Sequence, residues 1–207
     1  LGSSVISSIP YILTLAGEDG MAFPLTVGGY TIAMNFFFVI CQILLLRRRF
    51  QLVQLFQLVI GYVFGWLIDF NNVWLEPVVC DTLWSQILCQ FAGCLVMGMG
   101  ITFEVKCGSV TMPGEGITIA LGLVTGRPFA KVKIAVDTVL VIGAVACCYT
   151  FFGRWIWSVV GPGTLFAMLF VGFVVKVLTP RVRWFDTLLE SPRYAVGLLA
   201  KALRYKD

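Results

Sequence analysis

Apolar runs broken by short polar and basic stretches dominate the chain. The runs from about Gly29 to Leu46, Leu52 to Phe70, Trp84 to Val105, Val132 to Phe152 and Thr164 to Leu178 each approach the roughly 20 residues a helix needs to cross hydrocarbon. They are continuous rather than alternating, which points to helices and disfavours a β-barrel. Two further apolar stretches are too short to cross: "SSIPYILTLA", beginning at Ser7 and Ser8, and "MPGEGITIALGLV", beginning at Met112. Each is expected to be a re-entrant half-helix, a form tolerated only where protein or a water-filled cavity shelters it. Ser7, Ser8 and Pro10 would open the first. Pro113 would open the second, with Gly114 and Gly116 letting the backbone approach a neighbour closely. The plainer alternative is two interfacial loops with helical turns.

The charges sharpen this picture. Arg47, Arg48, Arg49, Lys106, Arg127, Lys131, Lys133, Arg181 and Arg183 fall on one side of the expected spans. Glu18, Asp19, Asp69, Glu76 and Asp81 fall on the other, with Arg154 as the basic exception. This is a positive-inside pattern, so the basic side and the C-terminus are expected in the cytoplasm. Leu1 is then external, and since it is not a methionine, an upstream span is expected to precede it. The segment 185–207 is too charged to span. From Pro192 onward, Val196, Leu199 and Leu203 share one helical face and Arg193, Lys201, Arg204 and Lys206 surround the other. It reads as an amphipathic helix lying on anionic lipid.

Composition then bounds the chemistry. Of 207 residues 59% are hydrophobic and 13% charged, more apolar surface than a soluble domain of this size can hide. No histidine is present, which excludes a histidine-based metal site and a Ser-His-Asp triad. The seven cysteines form no CxxC pair and read as small packing residues. No metal or cofactor is implied, no nucleophile–base pair stands out, and no enzyme is expected. The basic residues track one membrane side rather than a patch, so nucleic acid is not an expected partner.

An internal repeat is also visible. "GGYTIAMNFFFVI" (Gly28 to Ile40) matches "AKVKIAVDTVLVI" (Ala130 to Ile142), setting Asn35 against Asp137 and Thr31 against Lys133. Upstream, "GSSVISSIPYILTLA" resembles "GSVTMPGEGITIALGLV"; downstream, "VFGWLID" resembles "FVGFVVK", setting Asp69 against Lys176. Each unit reads as span, short broken segment, span, span, and three spans per unit place the two units in opposite orientations. The expected fold is an all-α integral membrane helix bundle of two inverted three-helix repeats. It has five spans in this chain and six with the opening span. Residues 1–81 form the first unit without that span, 82–184 the second, and 185–207 the tail.

The stretches "SSIPYIL", "LTVGGYTIAMN", "LLLRRRFQ", "FGWLID", "FEVK", "MPGEGITIAL" and "TGRPFAKVKIAVD" together resemble the YczE/YyaS/YitT-like family of bacterial multi-pass membrane proteins. "MPGEG" and "FAKVKIAVD" are the most specific of these. The resemblance covers nearly the whole chain and implies a bacterial inner-membrane protein with six spans. It implies no substrate.

The candidate site residues are the polar ones that the spans enclose. Asp137 lies a turn or more into the fourth span, where a bare carboxylate must pair or take a proton. Lys133, four residues earlier on the same face, is its expected partner. Glu115 sits at the mouth of the second half-helix, either as a proton or cation site or as a carboxylate favouring the helix dipole. Asn35 needs an interhelical hydrogen-bond partner. Glu104 is expected to snorkel to the interface, and Asp69 and Lys176 read as boundary residues. Together with Gly114, Gly116, Ser7 and Ser8, these residues point to a permease for a small solute or ion. Its site would lie near the midplane between the broken helices. A half-helix N-terminus there would favour an anionic group on the solute. The rival reading is a non-transporting membrane protein that assists or regulates a partner export or biosynthetic system. Self-association into a homo-oligomer is compatible with either.

Overall fold

The computed structural model describes residues 2–75, 82–107 and 110–182. The expected tail helix over 185–207 lies outside the described residues, as do Glu76, Cys80, Asp81 and Arg183. Seven α-helices and no strand are found among the described residues: α1 Val5–Glu18, α2 Val27–Leu46, α3 Phe56–Leu75, α4 Leu83–Cys107, α5 Pro113–Thr125, α6 Phe129–Phe152 and α7 Pro162–Leu178. Two short 3₁₀ turns, Arg47–Arg49 and Leu52–Leu55, join α2 to α3.

Four helical stretches are long and apolar enough to cross a membrane: Val27–Leu46, Leu52–Leu75, Leu83–Cys107 and Phe129–Phe152. They coincide with four of the five expected spans. The fifth falls on α7, whose 17 residues reach about 26 Å, at the lower limit for a crossing. The helix ends follow local chemistry. Ser4 and Thr26 cap α1 and α2 by accepting from the N–H groups of Ser7 and Gly29. Proline opens α5 and α7, and left-handed Gly126 and Gly153 close α5 and α6.

The start of α1 differs from the sequence expectation. The helix begins at Val5, so Ser7, Ser8 and Pro10 lie inside it rather than opening it. Ser4 supplies a capping oxygen that proline cannot, and the proline is absorbed within the helix.

α2 and α3 run antiparallel and close. A β-carbon on Gly65 would fall 2.5 Å from Ile32, and one on Gly28 would collide with the Gly65 carbonyl, so both positions must stay bare. α7 runs antiparallel to α6 and parallel to α4, with Gln90 near the start of α4 donating to the Gly163 carbonyl at the start of α7 at 3.3 Å. The short helices α1 and α5 each pack against both α2 and α6. The core is built from Val5 and Ile12 of α1, Ile117 of α5, Leu140 and Ala144 of α6, and Val159 and Val160 of the loop before α7.

Large apolar side chains also point outward, among them Phe36, Leu44, Trp66, Leu88, Val139 and Phe173. A belt of this kind around a bundle belongs against lipid. Its two ends differ in charge. Arg47, Arg48, Lys106, Arg127, Lys131, Lys176 and Arg181 gather where α2, α4, α5 and α7 end. Glu18, Asp19 and Asp69 sit at the opposite end, together with Arg154 and the exposed tryptophans Trp74, Trp84 and Trp157.

Candidate functional site

A charged cluster lies inside the bundle where α5 begins. Lys133 of α6 stands 2.9 Å from Asp137, one turn along its own helix. The same ammonium stands 3.6 Å from Glu115 of α5. All three side chains are less than 5% exposed. The i,i+4 pair is set by helix geometry, but Glu115 arrives only because Pro113 starts α5 beside α6. One cation therefore faces two carboxylates, leaving one formal negative charge in surplus at a buried position. Glu115 Oε2 has no hydrogen-bond partner among the described residues. An uncompensated buried charge is costly, so the cluster is primed to take up a positive charge, a proton being the smallest.

The other face of the same helical turn meets amides. Gln42 of α2 donates to Gln57 of α3 at 3.0 Å and to the Pro113 carbonyl at 3.1 Å. A β-carbon on Gly116 would fall 2.6 Å from Gln57 Oε1 and 2.7 Å from Gln42 Oε1. Glycine is what allows the amides to touch the helix start. Gly114 does the same for α1, since a β-carbon there would fall 2.6 Å from Ile6 Cδ1. A cavity of about 430 Å³ opens beside this contact, lined by Gln42, Gln54, Gln57, Thr111, Gly116 and Thr118 among others, with Arg127 at its basic end. Its lining is mixed: Leu46, Val105, Ile119, Leu123 and Phe129 stand beside these amides and hydroxyls.

The structure thus brings Asp137, Lys133, Glu115, Gly114 and Gly116 together at one helix start. The other expected site residues lie elsewhere. Asn35 is buried, with Nδ2 donating at 3.5 Å to the Gly61 carbonyl, and no hydrogen bond joins it to Lys133 or Asp137. Ser8 is buried and its hydroxyl turns back to the Val5 carbonyl at 2.5 Å. Ser7 shares a hydrogen bond with Ser4 at 2.9 Å and lines a separate cavity of about 410 Å³ with Tyr11, Ile68 and Asn72. Both serines therefore serve the start of α1.

Four further residues matter here. Gln42 and Gln57 carry the amide face. Their signal was a glutamine inside each of two apolar runs, "FFFVICQILLL" and "LVQLFQLVI". Glu104 does not snorkel: its carboxylate accepts from the Met112 N–H and anchors the entry to α5, within electrostatic range of Glu115. Asp69, read as a boundary residue, has a definite task. It accepts from Gly28 N–H at 2.8 Å and from the Thr26 hydroxyl at 2.7 Å, which ties α3 to the start of α2. Lys176 is exposed in the last turn of α7, as a boundary residue should be.

The fold is that of a membrane-like helical protein with charge buried at the start of a short helix. A family model covers residues 1–180, and the chain belongs to that family, DUF6198, a family of unknown function. No curated protein and no solved structure matches the chain.

Proposed function

We propose that the protein is a permease for a small polar solute, coupled to protons through Glu115. The observation that carries this reading is the geometry of the first turn of α5. One side of that turn holds a carboxylate only loosely bound to Lys133, and the other forms part of the wall of the cavity that Gln42 and Gln57 line. Lys133 keeps Asp137 at 2.9 Å and reaches Glu115 at 3.6 Å, so the link between α5 and α6 is the weaker one. A proton on Glu115 removes its attraction to Lys133 and satisfies the surplus charge. α5 is then free to shift against α6, and through Gly116 the shift reaches Gln42 and Gln57 in the cavity. Arg127 at the cavity's basic end favours a solute with an acidic group.

The helix pattern supports an inverted repeat. α1, α2 and α3 correspond in order to α5, α6 and α7, and the short helix of each unit packs on the long helix of the other. In this plan α1 and α5 are re-entrant from opposite sides, and α5 rocks between two openings. The segregated charges support an orientation with the basic end and the C-terminus in the cytoplasm of a bacterial cell. Kinship with the YczE/YyaS/YitT-like group is part of the same proposal.

The test uses the purified protein in vesicles loaded with a pH-sensitive dye. External addition of short carboxylic acids, amino acids or primary amides should drive internal acidification for at least one class. Glu115→Gln should abolish proton movement for that class while retaining binding. If no class moves protons, or if Glu115→Gln moves them as well as the wild type, the coupling role is lost.

A further inference from the structure

A groove of about 750 Å³ runs along the outside of the bundle between α2, α5 and α6. Phe37 and Cys41 form one wall, Leu121 the floor, and Ala135, Val136 and Val139 the other wall. Along α6, from Lys131 to Val139, it extends about 12 Å. Phe37 is 60% exposed and Val139 67%, so the groove opens on the apolar belt and not into the interior. Its charged groups are confined to one end, where Arg127 and Lys131 are both exposed. Neither has an ion-pair partner among the described residues. Lys131 also lies in the first turn of α6, where the positive end of the helix dipole disfavours a cation and favours an anion.

We infer that this groove is a binding site for an anionic phospholipid, with one acyl chain along α6 and the headgroup phosphate between Arg127 and Lys131. A chain in the groove covers apolar side chains that the protein itself leaves open, and the phosphate supplies the missing counter-charge. The charge commits the site to an anionic lipid, since a zwitterionic headgroup brings its own cation. The groove lining includes Ile117 and Leu121 of α5, so the lipid buttresses the helix that carries Glu115. The site follows from the membrane fold and does not depend on transport.

The experiment is a thermal unfolding series of the full chain in neutral detergent micelles. The titrants are dioleoyl phosphatidylglycerol, dioleoyl phosphatidylcholine and glycerol phosphate. Phosphatidylglycerol should raise the melting temperature well beyond phosphatidylcholine, and glycerol phosphate should do nothing. The double variant Arg127→Gln/Lys131→Gln should lose roughly 30-fold in apparent affinity for phosphatidylglycerol, at about 1 kcal/mol per cation. Ala135→Phe, at an exposed position that should fold normally, should weaken binding by filling the groove. Equal stabilisation by the two lipids, or a double variant that binds as the wild type does, would overturn the site. Stabilisation by glycerol phosphate alone would assign the cations to a free anion. Phosphatidylglycerol binding untouched by Ala135→Phe would move the chain out of the groove.

Discussion

Lys133 is the residue on which the interior charge balance turns. Lys133→Met leaves two buried carboxylates with no cation and should lower stability by about 3–5 kcal/mol. Glu115→Gln and Asp137→Asn each remove the surplus negative charge instead, and each should cost less than about 2 kcal/mol. Unfolding in detergent micelles, compared across the three variants, checks the order. If the two carboxylate variants are as damaging as the lysine variant, the cluster is a structural lock and not a site that takes up a proton. Half of this was legible in the chain. Lys133 and Asp137 are one helical turn apart, and helix geometry alone pairs them. The approach of Glu115 depends on where α5 packs, which no local pattern encodes. Asn35 shows the limit of the repeat: its place opposite Asp137 suggested a shared site, yet it faces Gly61 on α3.

Among the elements, α5 is the one whose seating matters most. Gly116→Ala drives a methyl group onto the Gln42 and Gln57 amides and should cost about 1–3 kcal/mol. It should also remove any stabilisation by a solute in the adjoining cavity, which melting curves with and without that solute will read. Asp69→Ala should cost about 1 kcal/mol through the loss of its hydrogen bonds to the Gly28 N–H and the Thr26 hydroxyl, with no effect on solute binding. The start of α5 was readable because proline at the first helical position announces it. The start of α1 was instead expected at Ser7, Ser8 and Pro10, whereas Ser4 holds the first N–H groups and Pro10 is carried inside the helix. Gln42 and Gln57 escaped notice because a single amide in an apolar run looks like a packing residue until its partner on another helix is known.

At the scale of the whole molecule, apolar run length was enough to place the four long helices, because hydrocarbon thickness sets that length directly. The charge difference between the ends makes the proposed orientation testable. Asp19→Cys should react with an impermeant maleimide in intact cells, and Arg48→Cys only after the membrane is opened; the reverse pattern would invert the bundle. In the proposed permease the first turn of α5 couples a solute to buried charge. The most direct test of this coupling is the melting temperature of the full chain against short carboxylic acids, amino acids, primary amides and inorganic anions, for the wild type, Gly116→Ala and Glu115→Gln. One class should stabilise the wild type and not Gly116→Ala, while Glu115→Gln should still bind it. A class that stabilises Gly116→Ala as well as the wild type, or a panel that stabilises nothing, would contradict the coupling.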